Sequence, residues 1–280
     1  MAHSYPNISI ISSLDDPRID PYRNIKDADL RGRKHLFMVE SEMVVRRLLS
    51  TDWNIHSLFL SPEKCERLAP VFSNLDVPVY VADVSLMTKI TGFHIHRGVL
   101  AAAHRPSESS MKVGNLIKQL KDKERVSLLL AEGITNVDNM GALFRNAAGF
   151  GVDALVFDQR CCDPLYRKAI RVSMGHVLSL PWAFVDDWKL ELQLLKQELE
   201  LTLIGCETSV DSKPIWEIQP SNRFGLIMGE EKSGLSSTTM ELCDEIAEIP
   251  MTPKVPSINV AVASAVGLYE FLCRSRLDKR

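Results

Sequence analysis

The chain has 280 residues, of which 45% are hydrophobic and 25% charged, as in an average soluble globular protein. This composition excludes disordered, collagen-like and coiled-coil chains, and the length suggests two domains or one large one. The net charge of −3 provides no global polycation, so any contact with nucleic acid must rest on a local basic patch.

Residues 1–12 contain neither a basic nor an apolar segment, so we expect no targeting signal there. The first 30 residues are polar and interrupted by proline, which predicts an extension without a core of its own. The longest nearly apolar stretch, residues 260–272, is too short to span a bilayer. We therefore expect a cytoplasmic protein with no membrane contact.

The next part of the chain predicts a small domain in which helices and strands alternate. The pattern favours a helix over residues 39–49 and strands over 55–60, 77–82 and 98–103. A polar, proline-containing stretch near residue 106 then marks a boundary. The predicted domains are an N-terminal extension (1–29), a small domain (30–106), a linker (107–123) and a C-terminal domain (124–280).

In the C-terminal domain, strands and helices alternate regularly. Apolar runs predict strands over residues 126–131, 154–157, 201–205, 224–228 and 247–249. The predicted helices begin at Asn139, at Asp163-Pro164, at Asp187, at Ser236 and at Ser257. Strands that are apolar on both faces indicate a parallel sheet covered on both sides, so the predicted fold class is α/β.

Ligands of such a sheet bind beyond the carboxyl ends of its strands, and three loops there carry polar and glycine residues. These loops cover residues 132–145, 229–236 and 250–260. None contains the glycine pattern of a dinucleotide site or of a phosphate-binding P-loop, which disfavours both kinds of site.

The three loops resemble the motifs of the SpoU/TrmH family of RNA ribose 2′-O-methyltransferases, in the SPOUT superfamily. The matching residues are Asn139-x-Gly141-Ala142-x-x-Arg145, Gly229-x-Glu231-x-x-Gly234-Leu235, Ile249-Pro250-Met251 and Ser257-x-Asn259-Val260. Residues 37–40 and 97–101 are similar to the ribosomal-protein-like RNA-binding domain of many members. The resemblance implies a trefoil-knotted C-terminal domain, a bent S-adenosylmethionine in the knot and an obligate homodimer.

The resemblance also assigns roles to residues of this sequence. The catalytic residues that it implies are Arg145, Asn139, Glu231, Ser257 and Asn259. The cofactor-binding residues that it implies are Gly229, Glu231, Leu235, Ile249, Met251, Ser257 and Val260. We further expect the largely apolar last helix to form part of the dimer contact.

The residues themselves leave alternatives open for several of these roles. Arg145 is either the base or an electrostatic clamp on phosphate and alkoxide, and a guanidinium does not lose its proton at neutral pH. Glu231 could instead cap the next helix, and Asn139 and Ser257 could be N-caps only. Asn259 is expected one turn inside an apolar helix, where a buried amide needs partners.

Two basic groups are candidate RNA contacts. Arg31, Arg33 and Lys34, with Arg46 and Arg47, are expected to form a patch on the small domain. Arg160, Arg167 and Arg171, with Lys168 beside them, are expected on one helical stripe. A solvated helix face is an equally good interpretation of the stripe.

Metal and disulfide chemistry are not expected. The six cysteines include no Cys-x-x-Cys pair, so we interpret them as reduced thiols, with Cys161 and Cys162 buried. His94 and His96 have metal-compatible spacing but no accompanying carboxylate or cysteine, and we predict no metal.

The predicted function is transfer of a methyl group from S-adenosylmethionine to a ribose 2′-hydroxyl of structured RNA, either rRNA or tRNA, with DNA inert. The alternative is a non-catalytic RNA-binding factor on the same scaffold, because Glu230, Lys232 and Pro253 depart from the family pattern. A nicotinamide-dependent oxidoreductase is a third hypothesis, and the missing glycine fingerprint counts against it.

Overall fold

A computed structural model describes residues 7–23, 35–93, 95, 98–255 and 257–274. The strands of these ranges are β1 (Ile8–Ile10), β2 (Leu36–Glu40), β3 (Ile55–Leu60), β4 (Val79–Val81), β5 (Val99–His104), β6 (Val126–Ala131), β7 (Ala154–Phe157), β8 (Trp182–Phe184), β9 (Thr202–Cys206), β10 (Lys213–Pro214), β11 (Arg223–Met228) and β12 (Glu245–Glu248). The α-helices are α1 (Glu42–Leu49), α2 (Pro62–Phe72), α3 (Val84–Thr91), α4 (Val113–Leu120), α5 (Val137–Phe150), α6 (Arg167–Val172), α7 (Trp188–Glu198), α8 (Ser237–Leu242) and α9 (Val260–Tyr269). Within these ranges, no helix combines the length and the apolar character that a bilayer crossing requires.

The chain divides into two compact units, the first of which contains residues 1–106 and 165–179. Its five-stranded sheet has the order β1-β4-β3-β5-β2 and contains both parallel and antiparallel pairs. Helix α6 follows β7 in the chain but packs against β2 in this unit.

The N-terminal segment belongs to this core, although its composition predicted an extension without one. Strand β1 pairs in parallel with β4, and the side chains of Ile19 and Tyr22 are fully buried. The Tyr22 hydroxyl donates a hydrogen bond of 2.8 Å to the carbonyl of Ser57, which satisfies the one polar atom that its burial removes from water. The polar composition of the N-terminal segment did not predict strand β1, because the strand has only three residues.

The helix predicted over residues 39–49 is wrong at its beginning. Residues 36–40 form strand β2, which pairs with β5, and Ser41 then takes a positive φ of 85° before α1 begins. Phe37, Met38 and Val39 are all buried although β2 is at the edge of the sheet, and α6 packs against this strand. A continuous apolar run does not distinguish such a strand from a buried helix.

The second unit contains residues 107–164 and 180–280, and its sheet confirms the predicted α/β class. Seven strands in the order β10-β12-β9-β11-β6-β7-β8 form a sheet in which every pair is parallel. The strand order reverses between β6 and β11, because β7 lies on one side of β6 and β11 on the other. A crevice for ligands is expected at the carboxyl edge beside such a switch point.

The predicted strands of this unit are confirmed to within two residues at each end, and the predicted α7 is confirmed with Asp187 as its N-cap. The helix predicted from Asp163-Pro164 is wrong in its start, because α6 begins at Arg167 with Tyr166 at its N-cap. Residues 164 and 165 form a turn instead, and the Asp163 side chain directly before it is buried.

Candidate functional site

The loops after β9, β11 and β12 meet at the carboxyl edge of the parallel sheet. They enclose a cavity of about 440 Å³, which the first turn of α9 closes from one side. This volume lies in the range that small ligands of proteins occupy. We call this cavity the edge cleft.

Six of the seven predicted cofactor residues line the edge cleft: Gly229, Glu231, Ile249, Met251, Ser257 and Val260. They are brought together from two loops and a helix start that lie up to 31 positions apart, from 229 to 260. Leu235 is not among the lining residues, and its backbone N–H donates to the Glu207 carboxylate at 2.9 Å. This hydrogen bond holds the end of the loop that carries Leu235.

Residues 229–236, the glycine loop, fold back tightly on themselves. The N–H groups of Glu230 and Gly234 each donate to the carbonyl of the other residue. A side chain at Gly229 would place its Cβ 2.3 Å from the Gly234 carbonyl carbon, and Gly234 itself has a φ of +68°. The two glycines of the motif are thus required by close backbone approach and by a left-handed conformation.

Two carboxylates that sequence reasoning missed hold the end of the glycine loop. Glu207 directly follows β9 and accepts from the Leu235 N–H, whereas Glu132 directly follows β6 and accepts from the Ser236 N–H. The Glu132 carboxylate also accepts from the hydroxyls of Ser236 and Thr239, each at 3.0 Å, and is 1% exposed. The signal that could have identified them is an acidic residue directly after each of the two apolar strands β6 and β9.

Arg160 contacts two carboxylates at this same edge of the sheet. It was predicted to lie on a helical stripe, and that prediction is wrong. It lies in the turn after β7, with its Nε 2.6 Å from Asp158 and an Nη 3.4 Å from Glu132. Both carboxylates are buried, and their proximity raises the pKa of the Arg160 guanidinium. A paired guanidinium compensates the cost of burying such charges.

Asn139 was predicted to be the N-cap of α5, and this prediction is wrong because Asn139 lies in the first turn of the helix. The N-cap is Asn136, whose side chain accepts from the N–H groups of Asp138 and Asn139. The Asn139 side chain is free for another contact, and its Oδ1 accepts from Asn259 Nδ2 at 3.0 Å. Its own Nδ2 is buried and has no hydrogen-bond partner among the described residues.

Asn259 is the N-cap of α9, which corrects both of the expectations for this helix start. Its Oδ1 accepts from the N–H groups of Ala261 and Val262, so Asn259 does not lie one turn inside the helix and Ser257 does not cap it. The capping bonds fix the orientation of the Asn259 amide, and its nitrogen therefore points to Asn139. Ser257 lines the edge cleft instead.

Glu231 is exposed at the rim of the edge cleft. It does not cap the next helix, because Ser236 is the N-cap of α8 and its side chain accepts from the Thr239 N–H. The alternative interpretation of Glu231 as a helix cap is therefore wrong, and its carboxylate remains available to a ligand.

Arg145 lies in the second half of α5, with an exposed side chain, and does not line the edge cleft. No hydrogen bond or ion pair joins it to another residue of the described ranges. Its guanidinium is therefore accessible to a ligand or partner. The sequence placed it correctly in the middle of this helix.

The remaining predicted RNA contacts fall into two groups. Arg31, Arg33 and Lys34 lie outside the described residues. Arg167, Lys168 and Arg171 belong to α6, where Arg167 lies 4.0 Å above the Phe93 ring and Arg171 is 4.0 Å from Glu40. Only these three of the predicted stripe share a helix.

The cysteines of the described residues are free, and burial raises the pKa of the Cys162 thiol to about 11 and that of Cys206 to about 12. Such thiols stay protonated at neutral pH, so they do not act as nucleophiles. Across the described ranges, no three metal-ligating side chains lie together, and His94 and His96 fall outside those ranges.

Comparison with known proteins places these features in a family. Residues 127–269 match the model of the SpoU rRNA Methylase family. An uncharacterized tRNA/rRNA methyltransferase of Mycobacterium tuberculosis is 36% identical over 94% of this chain and 91% of its own length. A 23S rRNA (guanosine-2′-O-)-methyltransferase of Pectobacterium atrosepticum, RlmB, is 30% identical over 73% of this chain and 83% of its own. The crystal structure of an AdoMet-bound rRNA methyltransferase from Sinorhizobium meliloti shares the fold, with a TM-score of 0.78, 19% identity and coverage of 94% and 97%.

Proposed function

Because the chain belongs to the SpoU rRNA methylase family, we propose that it transfers a methyl group from S-adenosylmethionine to a ribose 2′-hydroxyl of structured RNA. The relatives named above are a tRNA/rRNA methyltransferase and a 23S rRNA guanosine-2′-O-methyltransferase, which makes rRNA or tRNA the substrate class. The observation that carries the proposal is the edge cleft, which six of the seven cofactor residues line.

The residues of the edge cleft fit S-adenosylmethionine. The volume of about 440 Å³ accommodates a nucleoside with an amino-acid side arm. Gly229, Gly234 and the apolar side chains of Ile249 and Met251 offer a narrow slot whose backbone groups can meet a purine edge. Glu231 and Ser257 supply polar groups at the same cleft, suited to the hydroxyl and ammonium groups of such a ligand.

S-adenosylmethionine, when bound, supplies a methyl group that its sulfonium already activates, so the chain has to align the acceptor and lower the cost of the developing alkoxide. Asn139 Nδ2 and Ser257 offer hydrogen bonds to the ribose, with Asn259 holding the Asn139 amide in place. Arg145 acts as an electrostatic clamp on the target phosphate and the alkoxide, because an arginine does not act as a base at neutral pH.

Capture of the RNA is assigned to residues 30–106 and methyl transfer to the second unit, which includes helix α4 of the segment predicted as a linker (107–123). Arg31, Arg33 and Lys34 of this region, with Arg167, Lys168 and Arg171, are the proposed phosphate contacts. Arg160 keeps a partly exposed guanidinium, but its bonds to Asp158 and Glu132 leave it the weakest member of the set. Because the 2′-hydroxyl is the nucleophile, DNA is inert in this proposal.

The proposed assembly is a cytoplasmic homodimer with a trefoil-knotted catalytic domain. Val262, Val266 and Tyr269 lie along one exposed face of α9, at 52%, 37% and 48% exposure. Their spacing of four and three residues makes a continuous apolar stripe, which a symmetric dimer would bury. No contact with a membrane is proposed.

A non-catalytic RNA-binding factor is the second candidate, favoured by Glu230, where the family has a neutral residue. The Glu230 carboxylate accepts a 2.6 Å hydrogen bond from Ser233, so it is part of the fold of the glycine loop. This candidate predicts RNA binding without affinity for S-adenosylmethionine, which a calorimetric titration of the cofactor would decide.

The proposal is tested by methyl transfer from labelled S-adenosylmethionine to total RNA of cells that lack this protein, followed by size fractionation. We expect label in one RNA class, at a position that resists alkaline cleavage, because a 2′-O-methyl group removes the nucleophile of that cleavage. Label in a base, or label in DNA, would contradict the proposal.

A further inference from the structure

The glycine loop leaves β11 between two strands, β9 and β6, each of which is directly followed by a glutamate. These residues, Glu207 and Glu132, accept hydrogen bonds from two successive backbone N–H groups, those of Leu235 and Ser236. The loop is therefore held from both sides at the same point, directly before α8 begins. We call this arrangement the carboxylate clamp.

We propose that Glu207 and Glu132 are positioning residues that fix the glycine loop in the shape that binds the methyl donor. This inference rests on the proposed function for the identity of the donor. The clamp itself stands on the hydrogen bonds of the described residues. It assigns a role to two carboxylates that lie outside the three sequence motifs.

The Glu207 side of the clamp is coupled directly to the glycine motif. A Cβ at Gly234 would lie 2.0 Å from Glu207 Oε2, so the carboxylate occupies the space beside the glycine. The other oxygen, Oε1, accepts from the Thr208 N–H at 2.9 Å. Both oxygens of Glu207 are thus engaged by backbone donors, and Glu207 itself lines the edge cleft.

The Glu132 side is buried and multiply bonded. Besides the Ser236 N–H, its carboxylate receives two hydroxyls and Arg160, and the Thr239 hydroxyl also accepts from Trp188 Nε1 at 2.8 Å. The carboxylates of Glu132 and Glu207 also lie close to the N-terminus of α8, where the helix dipole stabilises negative charge. Charge-assisted hydrogen bonds of this kind are the stronger ones in proteins.

The clamp has a consequence for ligand recognition. The Leu235 and Ser236 N–H groups are occupied by carboxylates, so a bound donor meets the Gly229 side and the rim of the loop rather than these two amides. Releasing the clamp would free the loop to sample other shapes, and a ligand that needs one shape then binds more weakly in proportion to the population lost. The effect should appear in donor affinity before it appears in turnover.

The test compares Glu207→Gln and Glu207→Asp with the unmodified protein. In Glu207→Gln, an NH₂ group replaces one of the two carboxylate oxygens and cannot accept from the backbone N–H that donates there. In Glu207→Asp, the charge is kept, but the side chain is one methylene too short to reach the Leu235 N–H. For both variants we expect faster amide hydrogen exchange at Leu235 and Ser236 and roughly tenfold weaker binding of S-adenosylmethionine by calorimetry. At saturating donor, kcat should stay within about threefold, because no reacting atom is touched.

Asp244→Asn is the matched control. Asp244 accepts from the Leu203 N–H at 2.8 Å and pairs with Lys196, so it is also a carboxylate on a backbone amide of this sheet, but at the amino end of β12. It should lower the melting temperature without changing donor affinity. Glu132→Gln tests the second side, with exchange at Ser236 as its main readout.

Three outcomes overturn the inference. Donor affinity within twofold of the unmodified protein in the Glu207 variants would show that the loop does not need the clamp. If Glu207→Asp binds the donor normally and Glu207→Gln binds it weakly, the effect comes from the negative charge of residue 207 and not from its hydrogen bond to the loop. Failure of the unmodified protein to bind S-adenosylmethionine at all would refute the proposed function and the donor role, while the exchange data would still report whether the loop is held.

Discussion

The Asn259 side chain joins two helix starts that lie 120 residues apart in the chain, because its amide nitrogen donates to Asn139 Oδ1 at 3.0 Å while its oxygen caps α9. This bond orients the Asn139 amide so that its nitrogen remains as a buried donor without a partner in the described structure. A buried, unpaired N–H is costly to a fold, and at a candidate active site it indicates a ligand.

Replacing Asn139 by alanine should therefore affect catalysis more than stability. We expect methyl transfer to fall by roughly a hundredfold, the order reported for loss of one preorganised donor, with the melting temperature lowered by only a few degrees. The measurement is single-turnover transfer to RNA at a temperature well below unfolding.

Asn146→Ala provides the matched control for this variant. Asn146 is also on α5 and also contacts α9, but its amide nitrogen is paired, donating to the Ala261 carbonyl and the Ser264 hydroxyl, whereas that of Asn139 has no partner in the described structure. It should cost similar stability and keep normal transfer. Equal activities of the two variants would mean that Asn139 only ties the helices together.

Arg145→Ala should abolish transfer while leaving the fold intact, because the exposed guanidinium makes no contact that the described structure needs. Arg145→Lys should recover only part of the rate, since a lysine lacks the planar fork that grips phosphate and alkoxide together. The readout is the rate of transfer at saturating RNA. Arg125→Ala, which removes another exposed arginine of the same unit, should retain the rate, and retained activity in Arg145→Ala would remove Arg145 from the mechanism.

Gly234→Ala should disrupt the glycine loop. The added Cβ would collide with Glu207 at 2.0 Å and would strain a φ of +68°, so binding of S-adenosylmethionine should be lost. Gly149→Ala is the opposite case, because its Cβ would meet nothing within 4 Å and it lies inside α5. That variant should gain about 0.5–1 kcal/mol in free energy of unfolding. A Gly234→Ala protein with normal donor affinity would contradict the described loop.

The sequence was sufficient for the parallel sheet and for six of the residues that line the edge cleft, because apolar runs and spaced glycines are local signals. It was not sufficient to choose between Asn136 and Asn139 as the cap of α5, since both are good N-cap residues three positions apart. Only the hydrogen bond from Asn259 shows that Asn136 caps the helix and that the Asn139 side chain makes a different contact. Glu207 was missed for a different reason, which is that its partner, the Leu235 N–H, is a backbone group and leaves no mark in the sequence.

The largely desolvated Cys206 thiol predicts a loss of stability at alkaline pH. Burial raises the pKa of Cys206 to about 12 from an ordinary value of 9.0, so the folded protein keeps the proton that the unfolded chain releases. Stability is complete below about pH 9 and falls as the pH rises toward 12. Urea unfolding at about pH 7.5 and pH 10 should show this decline, and Cys206→Ala should reduce it. An unchanged pH dependence in Cys206→Ala would show that Cys206 ionises equally in both states.

The exposed stripe on α9 offers a test of the proposed homodimer. Val266→Glu would place a charge in the centre of the stripe formed with Val262 and Tyr269, and burying an unpaired carboxylate between two copies is unfavourable. Light scattering should then give the mass of one chain, 31.4 kDa, whereas we expect twice that mass for the unmodified protein. Val210→Glu is the control, because Val210 is fully exposed in the loop after β9 and should leave the dimer unchanged. A dimer that survives Val266→Glu would move the interface away from this face of α9.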